Sequence, residues 1–140
     1  TVSHVSDIVP KGHVYALEFS ETSMRKLLEL AKKRGNVTPL LQDARRPEDY
    51  QYLIGDVDII YQDVAQPDQS EILIKNARLF LKKGDYAVIC IKARSIDSVE
   101  DPVKVFGKEK EKLASEFQLL EEINLRPYDK DHRMLVLRRA

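Results

Sequence analysis

VDIIYQDVAQPDQ, running from Val57 to Gln69, decides how the chain is read. An apolar, β-branched run from Val57 to Tyr61 leads into Asp63, and a turn containing Pro67 follows. Asp68 and Glu71 then stand as a capping pair in front of a new helical pattern. The reading predicts a buried strand that delivers a carboxylate to its C-terminal tip, with a helix returning over the sheet. Ligands of open α/β sheets bind at that edge. Asp63, beside the amide of Gln66, is therefore placed to hold a substrate rather than to pack.

The same alternation extends in both directions. Thr1 to Val9 has Val2, Val5 and Val9 at helical spacing. His13 to Phe19 reads as a strand. Ser20 can cap a helix whose Met24, Leu27, Leu28 and Ala31 follow the i, i+3, i+4, i+7 pattern, with Gly35 ending it. Val37 to Leu41 is a second strand, followed by Asp43. Glu48 to Ile54 reads as a short helix with Pro47 near its start. After the Val57 to Tyr61 strand, Asp68 to Lys83 is a helix with Leu73, Ala77, Phe80 and Leu81 inward, closed by Gly84. Tyr86 to Lys92 is apolar without alternation, the mark of a strand buried on both faces. Asp101-Pro102 opens another helix with Phe106, Leu113 and Phe117 inward. Gln118 to Leu125 and Met134 to Arg138 read as two strands joined through RPYDKDH.

Strands alternating with helices predict a mostly parallel α/β sheet covered on both faces, and the terminal strand pair predicts an antiparallel strand at the end. That is the shape of Rossmann-like class I methyltransferases, though other nucleotide-binding domains share it. Such sheets place their first strand in the middle, and no strand or glycine-rich turn stands before the opening helix. The expectation is that residues 1–140 are a fragment of a larger domain, or one piece of a two-piece assembly, lacking its central strand and accompanied by an upstream fragment. The first two strands would lose main-chain partners to the rest of the sheet, and apolar faces around Val14, Ala16, Ile59 and Tyr61 would be uncovered. Such a chain is expected to be neither stable nor active alone.

Composition narrows the function. The 140 residues suit one ordinary domain. Lys+Arg and Asp+Glu both number 23, so bulk positive charge cannot be what grips nucleic acid. RNA stays open as a target if a partner supplies the basic surface. The single cysteine, Cys90, lies in an apolar run and reads as a reduced core thiol. No apolar stretch approaches the ~20 residues of a membrane span. His4 and His13 have no ligand spacing with each other or with Cys90, so no metal is expected.

Individual residues carry more. Glu18 ends the first strand, where a carboxylate can accept both ribose hydroxyls of a nucleotide-like ligand. Asp43 with the backbone N–H of Ala44 can read an adenine edge. Lys92 caps YAVICI, and a lysine at a buried strand end has its charged form disfavoured unless a carboxylate restores it. Asp63 on the neighbouring strand is the candidate for that carboxylate, in a pair that reads either as catalytic or as a structural ion pair. His132, in YDKDH, has no role by itself.

The runs TVSHVSDIV, YALEFS, PLLQDARRPEDY, VDIIYQDVAQPDQ, KARSID and PYDKDH resemble archaeal fibrillarin, the 2′-O-methyltransferase of C/D-box ribonucleoproteins. The resemblance covers essentially the whole chain and implies that residues 1–140 are the C-terminal portion of one S-adenosylmethionine-dependent methyltransferase domain. It implies that Thr1, Glu18, Phe19, Asp43, Ala44 and the turn Asp63, Val64, Ala65 and Gln66 contact S-adenosylmethionine. It also implies that Asp63, Lys92 and His132 belong to the family's Lys-Asp-Lys-His catalytic group, whose first lysine, like the glycine-rich loop and the small N-terminal domain, is not among these residues. The implied partners are C/D-box guide RNA and target RNA, a Nop-family scaffold protein and a kink-turn-binding ribosomal-type protein. The implied targets are rRNA and tRNA, in the cytoplasm of an archaeal cell.

Two other readings remain. A nicotinamide-dependent oxidoreductase shares the strand-tip acid but requires a second nucleotide half that nothing here provides. A non-catalytic ribonucleoprotein subunit with a degenerate methyltransferase fold predicts that Lys92 and Asp63 are replaceable.

Overall fold

A computed structural model describes all residues from Thr1 to Ala140. The chain divides into two compact units, Thr1–Ile54 and Gly55–Ala140.

The first unit contains α1 (Val2–Ile8), β1 (Val14–Glu18), α2 (Glu21–Lys33) and β2 (Val37–Leu41). β1 and β2 pair in parallel, with Val14 opposite Val37 and Glu18 opposite Leu41. Ser20 caps α2 as expected, its hydroxyl accepting from the Ser23 N–H. Ala16, Met24, Leu27 and Val37 form a small core. Asn36 Nδ2 donates to the Ser6 and Val9 carbonyls at 3.0 and 3.1 Å, satisfying the end of α1. Only a single turn of 3-10 helix over Pro47–Asp49 forms where Glu48 to Ile54 was expected to be helical. Tyr50 and Ile54 are nonetheless buried, so the stretch anchors itself through turns rather than through a continuous helix.

The second unit contains β3 (Ile59–Gln62), α3 (Gln69–Phe80), β4 (Tyr86–Lys92), α4 (Ala93–Ile96), α5 (Pro102–Leu113), β5 (Phe117–Asn124) and β6 (His132–Arg139). The strands lie in the order β3-β4-β6-β5. β3, β4 and β5 run one way and β6 runs against them. This is the mostly parallel sheet with one reversed strand that the sequence predicts. β1 and β2 form a separate two-stranded sheet.

Residues Ala87, Ile89 and Ile91 of β4 share one sheet face with Leu135 and Leu137 of β6, and all five are buried with Leu73, Ala77, Val105 and Phe106 of α3 and α5. Asp101 caps α5 by accepting from the Val103 N–H, with Pro102 at the first helical position. Gly84, at φ +90, makes the turn between α3 and β4.

Three expectations need correction. The strand before Asp63 is not buried: Ile59 is 51% and Tyr61 38% exposed. β3 is the outer strand of its sheet, and only the Ile60 and Gln62 side turns toward the helix-covered face. Asp68 stands at the N-cap of α3 but its side chain makes no capping bond, and Glu71 pairs instead with Lys112, 2.9 Å away. Finally, Phe117 belongs to the start of β5 rather than to the helix before it, although it is buried as expected.

Candidate functional site

Side chains alternate across a strand, so the face opposite the α3/α5 core carries Tyr61, Val88, Cys90, Lys92, His132, Met134 and Val136. Asp63 follows β3 directly. Its Oδ1 lies 2.8 Å from Lys92 Nζ, with the two side chains 32% and 22% exposed. His132 is opposite Lys92 in the β4–β6 ladder, which puts both side chains on one face. The C-terminal tips of β3 and β4 and the start of β6 thus bring Asp63, Lys92 and His132 together. No sequence rule places His132 there; the strand register does.

The approach to His132 is braced. Asp131, at φ 57, accepts from Arg94 at 3.2 Å and Arg126 at 3.4 Å, and its carbonyl accepts from the Ala93 N–H. His132 Nδ1 sits 2.6 Å from the Lys130 carbonyl oxygen. Arg94, the arginine of KARSID, therefore holds the loop that ends in His132.

Beneath the ion pair, the Tyr61 hydroxyl lies 3.5 Å from Cys90 Sγ. Burial, then the Cys90 contact, pushes the Tyr61 phenol well above its ordinary range, and burial likewise pushes the Cys90 thiol up. The ion pair on this part of the face is that of Asp63 and Lys92.

Three buried amides and hydroxyls escaped the reading of the sequence. Gln69 Oε1 accepts from the Lys92 N–H at 3.1 Å. Gln62 Nε2 donates to the Gln69 carbonyl at 2.7 Å. Ser70 donates to the buried carboxylate of Glu109. The one available signal was their place, immediately before and after the DVAQP turn.

In the first unit, Glu18 and Asp43 mark the tips of the two paired strands. Glu18 Oε1 accepts from the Phe19 and Ser20 N–H groups at 3.0 and 3.1 Å, while the Gln42 N–H donates to the Glu18 carbonyl. The Phe19 ring is 70% exposed. Asp43 Oδ1 accepts from the Arg45 N–H at 2.9 Å, shaping the turn that contains Ala44. Thr1 is the exposed N-cap residue of α1 and makes no side-chain capping bond. In the second unit, Val64, Ala65 and Gln66 form the turn between β3 and α3.

The family model described as Fibrillarin matches residues 1–140. The chain is 51% identical over 137 residues to the fibrillarin-like rRNA/tRNA 2′-O-methyltransferase of Methanocaldococcus jannaschii, a match covering 97% of this chain and 60% of that protein. It is 43% identical to Aeropyrum pernix fibrillarin, solved with natively bound S-adenosyl-L-methionine, at a TM-score of 0.87, covering 97% of this chain and 60% of that one. Against a solved fibrillarin/Nop5p complex the identity is 44% and the TM-score 0.98, covering 100% of this chain and 67% of the other. The chain spans about 60% of the length of the M. jannaschii relative.

Proposed function

This chain belongs to the fibrillarin family, and on that premise we propose that it is part of an S-adenosylmethionine-dependent RNA 2′-O-methyltransferase. Its targets are rRNA and tRNA, selected by a C/D-box guide RNA, because a chain with 23 basic and 23 acidic residues has no general charge with which to choose RNA. A Nop-family scaffold and a kink-turn-binding protein present the guide–target duplex. The naming of the M. jannaschii relative and the solved complex with Nop5p support the reaction and the scaffold.

The residues suit the cofactor. Glu18 has one carboxylate oxygen fixed by two backbone N–H groups and the other left to accept ribose hydroxyls. Phe19 offers an exposed ring to the adenosyl group. We assign Asp43 and Ala44 to the adenine edge, and Thr1 and Asp63 to Gln66 to the remaining contacts. S-adenosylmethionine, when bound, supplies an electrophilic methyl group on a sulfonium.

The observation that carries the reading is the Asp63–Lys92 pair. A ribose 2′-hydroxyl is a weak nucleophile, so alignment is the main contribution, worth about 7–11 kcal/mol in good cases. Lys92 lowers the pKa of the 2′-hydroxyl or takes its proton as negative charge develops on the oxygen, and Asp63 orients both Lys92 and the hydroxyl. His132, across the ladder from Lys92, supports that geometry.

The test is single-turnover transfer of labelled methyl from S-adenosylmethionine to guide-paired RNA by the full-length protein in its assembled ribonucleoprotein. Label should appear on the 2′-oxygen of one guided nucleotide. Label on a base, or none with any guided RNA, would exclude the proposal.

A further inference from the structure

The C-terminal end of β4 extends past its neighbour. Gln62 opposite Ile89 is the last β3–β4 pair, so Cys90, Ile91 and Lys92 have no strand beside them on that edge. An unpaired backbone N–H in a partly buried place is costly. The Lys92 N–H is satisfied by a side chain: Gln69 Oε1, 3.1 Å away.

Gln69 is the first residue of α3 and is 0% exposed. Its own carbonyl accepts from Nε2 of Gln62, the buried residue just before Asp63. One residue thus ties together the main chain of Lys92 and the residue that precedes Asp63. Gln69 Nε2, by contrast, is buried without a partner. An orphaned donor in the interior costs stability that an apolar side chain of the same length would not. Packing gives no reason to keep an amide at this position, whereas the Lys92 bond does.

We infer that Gln69, with Gln62 as its second arm, is a positioning residue that holds the tip of β4 so that the Lys92 ammonium meets Asp63 and the reacting hydroxyl. The inference rests on the reading of Lys92 given above. Small displacements of a reacting group are expensive, since a misplacement of roughly 1 Å can cost about 10²-fold in rate.

The experiment uses the full-length protein in its assembled ribonucleoprotein. Gln69→Met keeps the length and removes the acceptor. Gln69→Glu keeps an acceptor oxygen in place, because a buried carboxyl is driven toward its neutral form. Single-turnover methylation is followed across pH, with S-adenosylmethionine affinity measured by calorimetry. The Met variant should lose at least about tenfold in rate and show a displaced pH–rate profile, with cofactor affinity preserved. The Glu variant should recover most of the rate. Adding Gln69→Met to Lys92→Ala should cost nothing further, because both act through one group. Should the Met variant fail to fold, Gln62→Met is expected to displace the profile in the same direction. A wild-type rate and profile in the Met variant would overturn the inference alone. So would equal losses in the Met and Glu variants, or additivity with Lys92→Ala. Failure of the unsubstituted protein to methylate guided RNA would overturn the underlying reading, and the inference with it.

Discussion

Lys92 and His132 stand opposite each other at the end of the β4–β6 ladder, so their side chains share a face and a change at one is felt at the other. Lys92 also holds Asp63 at 2.8 Å, while His132 is held by the Lys130 carbonyl oxygen, 2.6 Å from its Nδ1. In the assembled full-length protein, Lys92→Ala should lower single-turnover methylation by at least about 10²-fold, the lower range for such groups. His132→Ala should lower it less. The double substitution should fall no further than Lys92→Ala alone, since groups acting as a unit are not additive. Independent, multiplying losses would separate His132 from the lysine.

Glu18 has two duties that conservative variants can separate. Its Oε1 fastens the Phe19 and Ser20 N–H groups at the entry to α2, and the proposed cofactor role needs the other oxygen. Glu18→Ala should weaken S-adenosylmethionine binding by about 1–3 kcal/mol, the usual cost of leaving partners of a charged hydrogen bond unpaired. Glu18→Gln, which keeps one acceptor for the backbone, should retain the melting temperature while still losing affinity. Calorimetry alongside thermal melting reads both. Affinity unchanged in both variants would remove Glu18 from the ribose role.

The elements that could be read from the chain are those whose evidence is local. β4, Tyr86–Lys92, was legible to the residue because seven positions without alternation admit no other strand reading. β2 and the Ser20 cap were legible for similar reasons. Ile59 and Tyr61 were legible only in part: the run alone reads as buried, whereas the expected lack of a central neighbour uncovers both, and their exposure on the outer strand follows the second reading. The Asp68/Glu71 capping pair did not form; Glu71 pairs at the surface with Lys112 of α5, a partner that no local rule sees. The same limit hid Gln69: its partner is 23 positions away, and it matters only because β3 stops short of β4. Asp63 and Lys92 were legible as strand-tip residues, while their contact needed the parallel pairing of β3 and β4.

Glu109 is buried among α5 residues yet accepts from Ser70 of α3 and pairs with Lys112 at 2.8 Å. Its contribution is to clasp the two helices that cover the sheet, close to the turn that follows Asp63. Ser70→Ala and Glu109→Ala should each cost about 1–3 kcal/mol, from a buried polar group left without its partner. Chemical denaturation of the full-length protein measures both. The double variant should cost less than the sum, because the second removal relieves the group orphaned by the first. A neutral Glu109→Ala would show that the clasp contributes nothing.

Glu122 links β5 to its surroundings through Lys110, 2.8 Å away, and through Arg133 of β6. The hydrogen bond from Lys110, followed by that from Arg133, holds its carboxyl below the ordinary value of 4.5, outweighing the opposing effect of burial. A folded-state value below the unfolded one means that the pair stabilises the fold fully above the ordinary carboxylate range. That stabilisation is lost as pH falls through the lowered value, where protonation discharges the acid. Glu122→Gln should therefore melt earlier than the unsubstituted protein at neutral pH, and the two curves should draw together as pH drops below about 4.5. The comparison is made in the full-length protein at constant ionic strength, because screening weakens half-exposed pairs. A gap in melting temperature that stays constant from neutral to acid pH would show that Glu122 acts through packing and not through its charge.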